Sequence, residues 1–381
     1  MILRIKDWIK YNLKGDPYIW VIIMAFSILS IAVVYSSISS LAYKRADEST
    51  NYFLLKHGGL VVFSLIFVWL AHKVNYKYYS RISLIALILS VPLLVIAFKF
   101  GDQINDANRW LTIPIINQSF QPSDLAKLAL ITQLASMLAK RQGNIDDFKQ
   151  SFIPIVAACG FVCGLIALSN LSTAIILFTT CLILMFIGRV SMKYILILVL
   201  AGAFFGAVAL KVGQRLETAI SRITIFFDEN AKIPDQAEKS YIAIWNGGLI
   251  GKGPGNSEQK YFLPHSYSDF IYSIIIEEYG LIGGVLVLFL YLALLYRGIQ
   301  TVMKSDRAFG GLLSAGLSLS LVMQAMINMG VAVGLGPITG QPLPLLSMGG
   351  TSLIFTGLSL GIILSVSRGD ITETSTVANE E

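Results

Sequence analysis

Uncharged apolar runs of about 20 residues recur along the whole chain, separated by short polar segments, and this pattern predicts membrane-spanning helices. At a rise of about 1.5 Å per residue, each run covers a hydrocarbon layer about 30 Å thick. The runs place ten spans at about 17–43, 53–72, 82–99, 123–139, 152–168, 171–188, 192–211, 270–296, 308–328 and 350–367. The fourth is short. The segment 331–349 is also apolar, but Gly334, Gly336, Pro337, Gly340, Pro342, Pro344 and Gly349 break any helix there. It carries no charge, and irregular backbone cannot face lipid. It must therefore lie at the interface or re-enter the membrane against protein.

Composition removes the soluble alternatives. Of 381 residues, 55% are hydrophobic and 14% charged, with a mean hydropathy of +0.69; a soluble domain carries about 25% charge. The net charge of +6 suggests an acidic partner, but the basic residues sit in short clusters between spans and form no stripe. Nucleic acid is excluded as a partner. With the N-terminus in the cytoplasm, 16 of the 29 Lys and Arg fall on that side, in Arg4–Lys14, Lys73–Arg81, Lys140–Lys149, Arg189 with Lys193, Arg297–Arg307 and Arg368. The positive-inside rule then puts both termini in the cytoplasm. Loops at about 100–122, 212–269 and 331–349 face outward. The expected fold is an all-α integral membrane protein, residues 1–381 forming one polytopic domain of about ten transmembrane helices. A long extracytoplasmic loop separates spans 7 and 8, and a re-entrant segment precedes span 10.

Two smaller features fit this picture. Cys159, Cys163 and Cys181 lie inside apolar spans and lack disulfide or metal spacing, so they are expected as small buried hydrophobes. The first 16 residues are basic and amphipathic (Arg4, Lys6, Trp8, Ile9, Lys10, Lys14), and the apolar run after them is too long for a cleaved signal.

Chemistry must come from polar residues near the spans. Asp269, in Ser268-Asp269-Phe270-Ile271, ends a polar loop and begins an apolar helix. Desolvation there raises a carboxylate's pKa toward that of a useful general base, while a helix cap explains the same residue blandly. Glu277 and Glu278 lie inside the eighth span, roughly 12 Å along the axis from Asp269. They suit a supporting intramembrane role as buried anchors better than a proton path. In Gln121-Pro122-Ser123-Asp124-Leu125-Ala126-Lys127, Ser123 or Asp124 can cap the fourth helix. Lys127 either snorkels or offers a cation to a phosphate-bearing ligand. Trp110, after Arg109, suits an interfacial aromatic belt.

The glycine-rich run 246–257 lacks phosphate-loop spacing, so no nucleotide is expected; its glycines allow tight turns and close packing. His57, His72 and His265 form no zinc motif. The metal, if any, is unknown: a divalent cation, Mg or Mn, held by carboxylates and a substrate diphosphate is compatible with the residues.

Taken in order, these motifs resemble the SEDS family of shape, elongation, division and sporulation proteins, which includes FtsW, RodA and SpoVE. The matching pieces are Asn108-Arg109-Trp110, Gln121 to Lys127, the glycine run with Gln259-Lys260, Leu263-Pro264, Ser268 to Ile271, Glu277-Glu278-Tyr279-Gly280 and Pro337 to Ser352. The resemblance covers nearly the whole chain and is strongest to the FtsW members of cell division. It implies a peptidoglycan glycosyltransferase that polymerises lipid II at the outer face of the bacterial cytoplasmic membrane, at the septum. It also implies Asp269 as the catalytic carboxylate, and a class B penicillin-binding protein and other divisome proteins as partners. Substrate-binding residues expected on this basis are Arg109, Trp110, Gln121, Ser123, Lys127, Asn256 and Lys260.

The chain departs from the family pattern at several points. Asp124 stands where Glu is common, Asn170 where Asp is common, Glu229 where Pro is common, Lys239 where Gln is common, and Met348 where Tyr or Arg is common. The change at Asn170 puts a proton or metal role there in doubt. Thr339-Gly340-Gln341-Pro342-Leu343-Pro344 is shared with RodA-like elongation polymerases. A lipid II flippase and a scaffold for division proteins are the rival functions. Discontinuous intramembrane segments suit a transporter, but the polar groups gather at one face and no inverted repeat accompanies them.

Overall fold

The computed structural model describes residues 12–44, 50–104, 107–113, 118–145, 147–212, 216–228, 231–305 and 307–377. Ten long helices match the ten apolar runs: α1 (Pro17–Lys44), α2 (Thr50–Lys73), α3 (Tyr79–Phe100), α4 (Pro122–Lys140), α5 (Ile153–Ser169), α6 (Leu171–Ile187), α7 (Met192–Val212), α10 (Ile271–Lys304), α11 (Ala308–Ala332) and α12 (Ser352–Val377). Among the described residues, seven helical stretches are long and apolar enough to cross a membrane, and the stretches in α6 and α7 are apolar but shorter. The helix at the short fourth run, α4, is walled by protein. Leu130, Ile131, Leu134 and Leu138 are fully buried, so protein rather than lipid surrounds much of it.

Two parts of the polar loops fold beyond the sequence expectation. Among the described residues, β1 (Asp102–Ile104), β2 (Ala107–Ile113) and β3 (Gln118–Phe120) form a three-stranded antiparallel sheet, with Leu111 opposite Phe120. The long loop holds two amphipathic helices, α8 (Leu216–Phe227) and α9 (Asp235–Gly247). The Arg4, Lys6, Trp8, Ile9, Lys10 and Glu229 features of the sequence lie outside the described residues.

Hydrogen bonds define the two ends of the bundle. At one end, the Asp16 N–H donates to Ser367 Oγ at 3.0 Å and Arg297 pairs with the Asp16 carboxylate. This joins the start of α1 to the later parts of α10 and α12. His72 and Asn12 meet there too, with Nε2 3.0 Å from the carbonyl oxygen. At the other end, β3 meets the start of α12 through Thr351 Oγ1, which donates to Ser119 O at 3.1 Å.

The charge-free segment after α11 is re-entrant. Leu343, Leu345, Leu346 and Ser347 are buried, and the Leu346 carbonyl accepts from Ser30, near the middle of α1, at 3.3 Å. Tyr291 donates its phenol to Pro344 O, and Gln324 Nε2 donates to Pro342 O at 2.9 Å. Side chains of α1, α10 and α11 thus supply the donors that lipid cannot. The backbone of Leu345 has φ 64°, a left-handed conformation costing about 1–3 kcal/mol, which the surrounding contacts hold in place.

α10 is interrupted at Gly280, with φ 69° and ψ −175°. The glycine run fills the gap. Lys252 and Gly253 N–H groups donate to the Glu277 and Glu278 carbonyls at 2.9 Å each, and Leu281 N–H donates to Gly248 O at 2.9 Å. Such close pairing excludes side chains: a Cβ on Gly247 would lie 2.1 Å from Ile276 O, and one on Gly280 2.2 Å from Leu249 O. These glycines serve close backbone packing. Gly280→Ala is expected to destabilise the protein by about 2 kcal/mol or more, seen as a lower unfolding temperature in detergent. An unchanged unfolding temperature would contradict this pairing.

Candidate functional site

A cavity of about 360 Å³ opens at the end of the bundle that carries the sheet. Segments from many parts of the chain wall it, including Lys56 of α2 and Gln324 of α11. β2 brings Arg109 and Trp110, the turn before α4 brings Gln121, α4 itself brings Asp124 and Lys127, the 265–269 turn brings Asp269, and the re-entrant segment brings Gly340 to Pro342. Of the residues expected to act on substrate, Arg109, Trp110, Gln121, Lys127 and Asp269 come together here.

Asp269 is not a helix cap. α10 begins at Ile271 behind Phe270, which makes no side-chain cap bond. The Asp269 backbone is instead clamped from both sides: its N–H donates to His265 O at 3.1 Å, and its carbonyl accepts from Asn328 Nδ2 at 2.7 Å. The same Asn328 amide donates to Gln341 O at 2.7 Å. One side chain of α11 therefore ties the carboxylate turn to the re-entrant segment. Two further bonds repeat the tie, from Ser347 Oγ to Ser268 O at 2.5 Å and from Met348 N–H to Tyr267 O at 2.9 Å.

The carboxyl group sinks into the cavity wall, where desolvation raises its pKa above the ordinary aspartate value. The charges of His265 and Arg109, the Ser268 hydroxyl and the charge of Arg222 pull in the opposite direction without cancelling the rise. Gly340, at φ 64°, brings bare backbone alongside; a Cβ there would sit 3.5 Å from Asp269 Oδ2.

Lys127 does not snorkel. Its ammonium lies 2.9 Å from Asp124 Oδ1 and donates to Gln324 Oε1 at 3.1 Å, facing the cavity. Asp124 and Ser123 do not cap α4 as expected. Gln121 occupies the cap position without a side-chain bond, Pro122 takes the first turn, and both residues lie buried behind it. Trp110 lines the cavity and need not serve as a belt residue. Asn170 lines it too, and its Oδ1 accepts from Thr173 N–H at 3.2 Å, capping α6.

Ser123, Asn256 and Lys260, also expected to bind substrate, do not line this cavity. Asn256 Nδ2 donates to Lys252 O at 3.0 Å in the exposed glycine loop. Lys260 is buried, its ammonium donating to Gly255 O at 2.7 Å and to Ser36 Oγ at 3.4 Å. It stabilises that loop from within. Glu277 and Glu278 are fully buried anchors. Glu277 accepts from Ser257 Oγ, from the Glu258 and Gln259 N–H groups at 3.2 Å each, and faces Lys252 at 3.6 Å. Glu278 accepts from Ser36 Oγ.

Sequence reasoning did not single out Lys56, His265, Gln324 or Asn328 as site residues. Lys56 stands within an apolar run and His265 within the Asp269 motif, which were the signals available. The two amides gave none, because their partners, backbone carbonyls and for Gln324 also the Lys127 ammonium, are distant in sequence.

The family model described as "Cell cycle protein", covering FtsW, RodA and SpoVE, matches residues 16–371. The chain belongs to this family. It is 32% identical over 367 residues to the "Probable peptidoglycan glycosyltransferase FtsW" of Geobacter metallireducens, covering 94% of this chain and 97% of that one. To the stage V sporulation protein E of Bacillus subtilis it is 32% identical over 365 residues, covering 93% and 98%. Among solved structures, the rod shape determining protein RodA of Thermus thermophilus shares the fold with a TM-score of 0.67 at 24% identity, covering 93% and 97%. A chain of a peptidoglycan synthase complex does so with a TM-score of 0.69 at 24% identity, covering 93% and 98%. The family resemblance read from the motifs is thereby established for the chain as a whole.

Asn328→Ala leaves the Asp269 and Gln341 carbonyls without this donor and is expected to cost about 2 kcal/mol of stability. Asn256→Ala, in the exposed loop, should stay within about 0.5 kcal/mol of the parent. Thermal unfolding of both variants in detergent checks the contrast; equal shifts would refute the clamp.

Proposed function

We propose that the chain is a peptidoglycan glycosyltransferase that polymerises lipid II into glycan strands at the outer face of the cytoplasmic membrane, serving septal wall synthesis. The observation that carries this is the position of Asp269. A half-buried carboxylate with a raised pKa faces the same polar cavity as Arg109 and Lys127, at one end of a bundle of membrane-spanning helices. The names of the curated FtsW relatives support the activity and the division role.

The chemistry follows from that placement. The acceptor's 4-hydroxyl must lose its proton as its oxygen attacks the donor's anomeric carbon, and Asp269 is the base that takes it. The bond from the anomeric carbon to the diphosphate breaks, and its electron pair leaves with undecaprenyl diphosphate. Arg109 and Lys127 offset the charge that builds there. The ordinary competitor for a carboxylate at this depth is a structural bond. Here the Asp269 turn is held by its backbone, which leaves the carboxyl group to the cavity.

A divalent cation, Mg or Mn, would meet Asp269 and Asp124 in this cavity. Among the described residues no three His, Cys, Asp or Glu gather as ligands. Such a cation wants six or more oxygens, so most would have to come from the diphosphate and water. The flippase alternative draws less from the buried glutamates, since Glu277 is bonded to the glycine loop and one Glu278 oxygen accepts from Ser36 on α1.

The basic clusters support a cytoplasmic placement of the end bearing Asp16, Arg297 and Ser367, and so an outward-facing cavity. The likeness in fold to a chain of a peptidoglycan synthase complex supports pairing with a class B penicillin-binding protein within the divisome.

Asp269→Asn is expected to lower glycan formation from lipid II by about 10²-fold or more while the protein stays folded. Undiminished polymerisation by the purified variant would discard the assignment. The base works when deprotonated, so activity should fall as pH drops through a carboxyl pKa lying above the usual aspartate value. Arg109 and His265 pull that pKa down. Replacing either by Gln should therefore move the acidic limb of kcat/KM to higher pH, and a shift to lower pH would refute the electrostatics.

A further inference from the structure

His57 on α2 is fully buried, although its neighbour Lys56 lines the cavity. Successive residues of a helix point about 100° apart, so Lys56 faces the cavity while His57 turns into the bundle. The His57 Nε2 lies 3.0 Å from Ser30 Oγ on α1. Ser30 Oγ in turn donates to the Leu346 carbonyl at 3.3 Å. A hydroxyl has one hydrogen, and this one is committed to a carbonyl. The hydroxyl must therefore accept from the ring, which places the imidazole proton on Nε2. Nδ1 is left as the bare nitrogen, with no hydrogen-bond partner among the described residues.

A serine inside a helix commonly bonds back to the carbonyl four residues before it. On α1, Ser27 donates to Ile23 O at 2.8 Å and Ser37 to Val33 O at 2.9 Å in this way. Ser30 reaches across to Leu346 instead. A ring N–H held against its lone pair turns its hydrogen away from the helix and toward the re-entrant segment. The Leu346 carbonyl belongs to the turn whose next two residues grip the Asp269 loop. Ser347 Oγ donates to Ser268 O, and Met348 N–H donates to Tyr267 O. Leu345, at φ 64°, precedes it, so this turn keeps its conformation only through such contacts. His57 and Ser30 thus hold the back of a turn whose front holds Asp269.

We infer that His57 is a positioning residue for glycosyl transfer. By orienting the Ser30 hydroxyl it fixes the re-entrant turn, and with it the reach of the Asp269 carboxylate toward the acceptor hydroxyl. This rests on the glycosyltransferase function argued above. His57 itself is outside the lining of the cavity. Its removal leaves that lining intact but frees Ser30 to bond back to Phe26 O, four residues earlier on α1. The Leu346 carbonyl then loses a donor on non-helical backbone, where lipid supplies none. The turn relaxes and the carboxylate drifts from its working position. Such drift lowers kcat and leaves KM alone, because the groups that bind substrate stay in place.

The test is steady-state polymerisation of lipid II by the purified full-length protein, with hydrogen exchange at the Ser347 and Met348 amides read in parallel. His57→Leu keeps the bulk but has no donor, and should lower kcat about tenfold with KM within about twofold of the parent. His57→Gln brings an amide N–H to about the same point and should restore kcat to within about twofold of the parent. Ser30→Ala should match His57→Leu. The double variant should lose no more than the larger single loss, since both groups act through one bond. Exchange should quicken in His57→Leu and Ser30→Ala and stay parental in His57→Gln. A glutamine no better than leucine, additive losses, or a change in KM rather than kcat would overturn the positioning role. If His57→Leu fails to fold, Ser30→Ala decides, and a parental kcat there overturns the role. If Asp269→Asn polymerises normally, the catalytic function falls and the positioning role with it. Parental exchange in both His57→Leu and Ser30→Ala would instead refute the tie while that function stands.

Discussion

A single carboxamide, that of Asn328, sets the geometry of this site. It donates to two carbonyls at 2.7 Å, one in the turn that carries Asp269 and one in the re-entrant segment. Both carbonyls sit on non-helical backbone that has no hydrogen-bond ladder of its own. Without water, each would be left with the full cost of desolvation. The amide satisfies both at once and so fixes their separation. The cavity between α4, β2 and the re-entrant segment inherits its shape from that separation.

The same constraint explains where the buried charges went. A charged residue at membrane depth suggests transport or proton movement. Glu277 instead gathers N–H and O–H donors from residues 257–259, and Glu278 reaches Ser36 on α1. They anchor the loop that pairs with the break in α10. The carboxylate of Asp269, by contrast, lines the polar cavity, where it is partly desolvated without being consumed by architecture.

The helices were legible because a bilayer demands long uncharged runs, and all ten runs became helices. The re-entrant segment was legible for the converse reason: Pro337, Gly340, Pro342 and Pro344 forbid a helix, and the lack of charge forbids an open loop. The motif carrying Asp269 was legible by its place at a polar-to-apolar boundary. The sheet of β1, β2 and β3 was hidden by brevity, its outer strands being three residues long. Lys260 and Asn256, expected at the substrate from the family resemblance, lie away from this cavity. Their hydrogen bonds close the loop on itself instead. Asn328 and Gln324 were invisible, since an amide inside an apolar run announces nothing until the carbonyls it serves are placed in space.

The interruption of α10 bears on the order of biogenesis. Residues 248–253, which take up the carbonyls of Glu277 and Glu278, leave the ribosome before those glutamates do. When the first turns of α10 enter the bilayer, their hydrogen-bonding partners have already been translated and need only fold back. A later-made partner would leave two peptide carbonyls and a carboxylate waiting in hydrocarbon. The chain thus inserts a helix with a gap in it and closes that gap with a segment made beforehand.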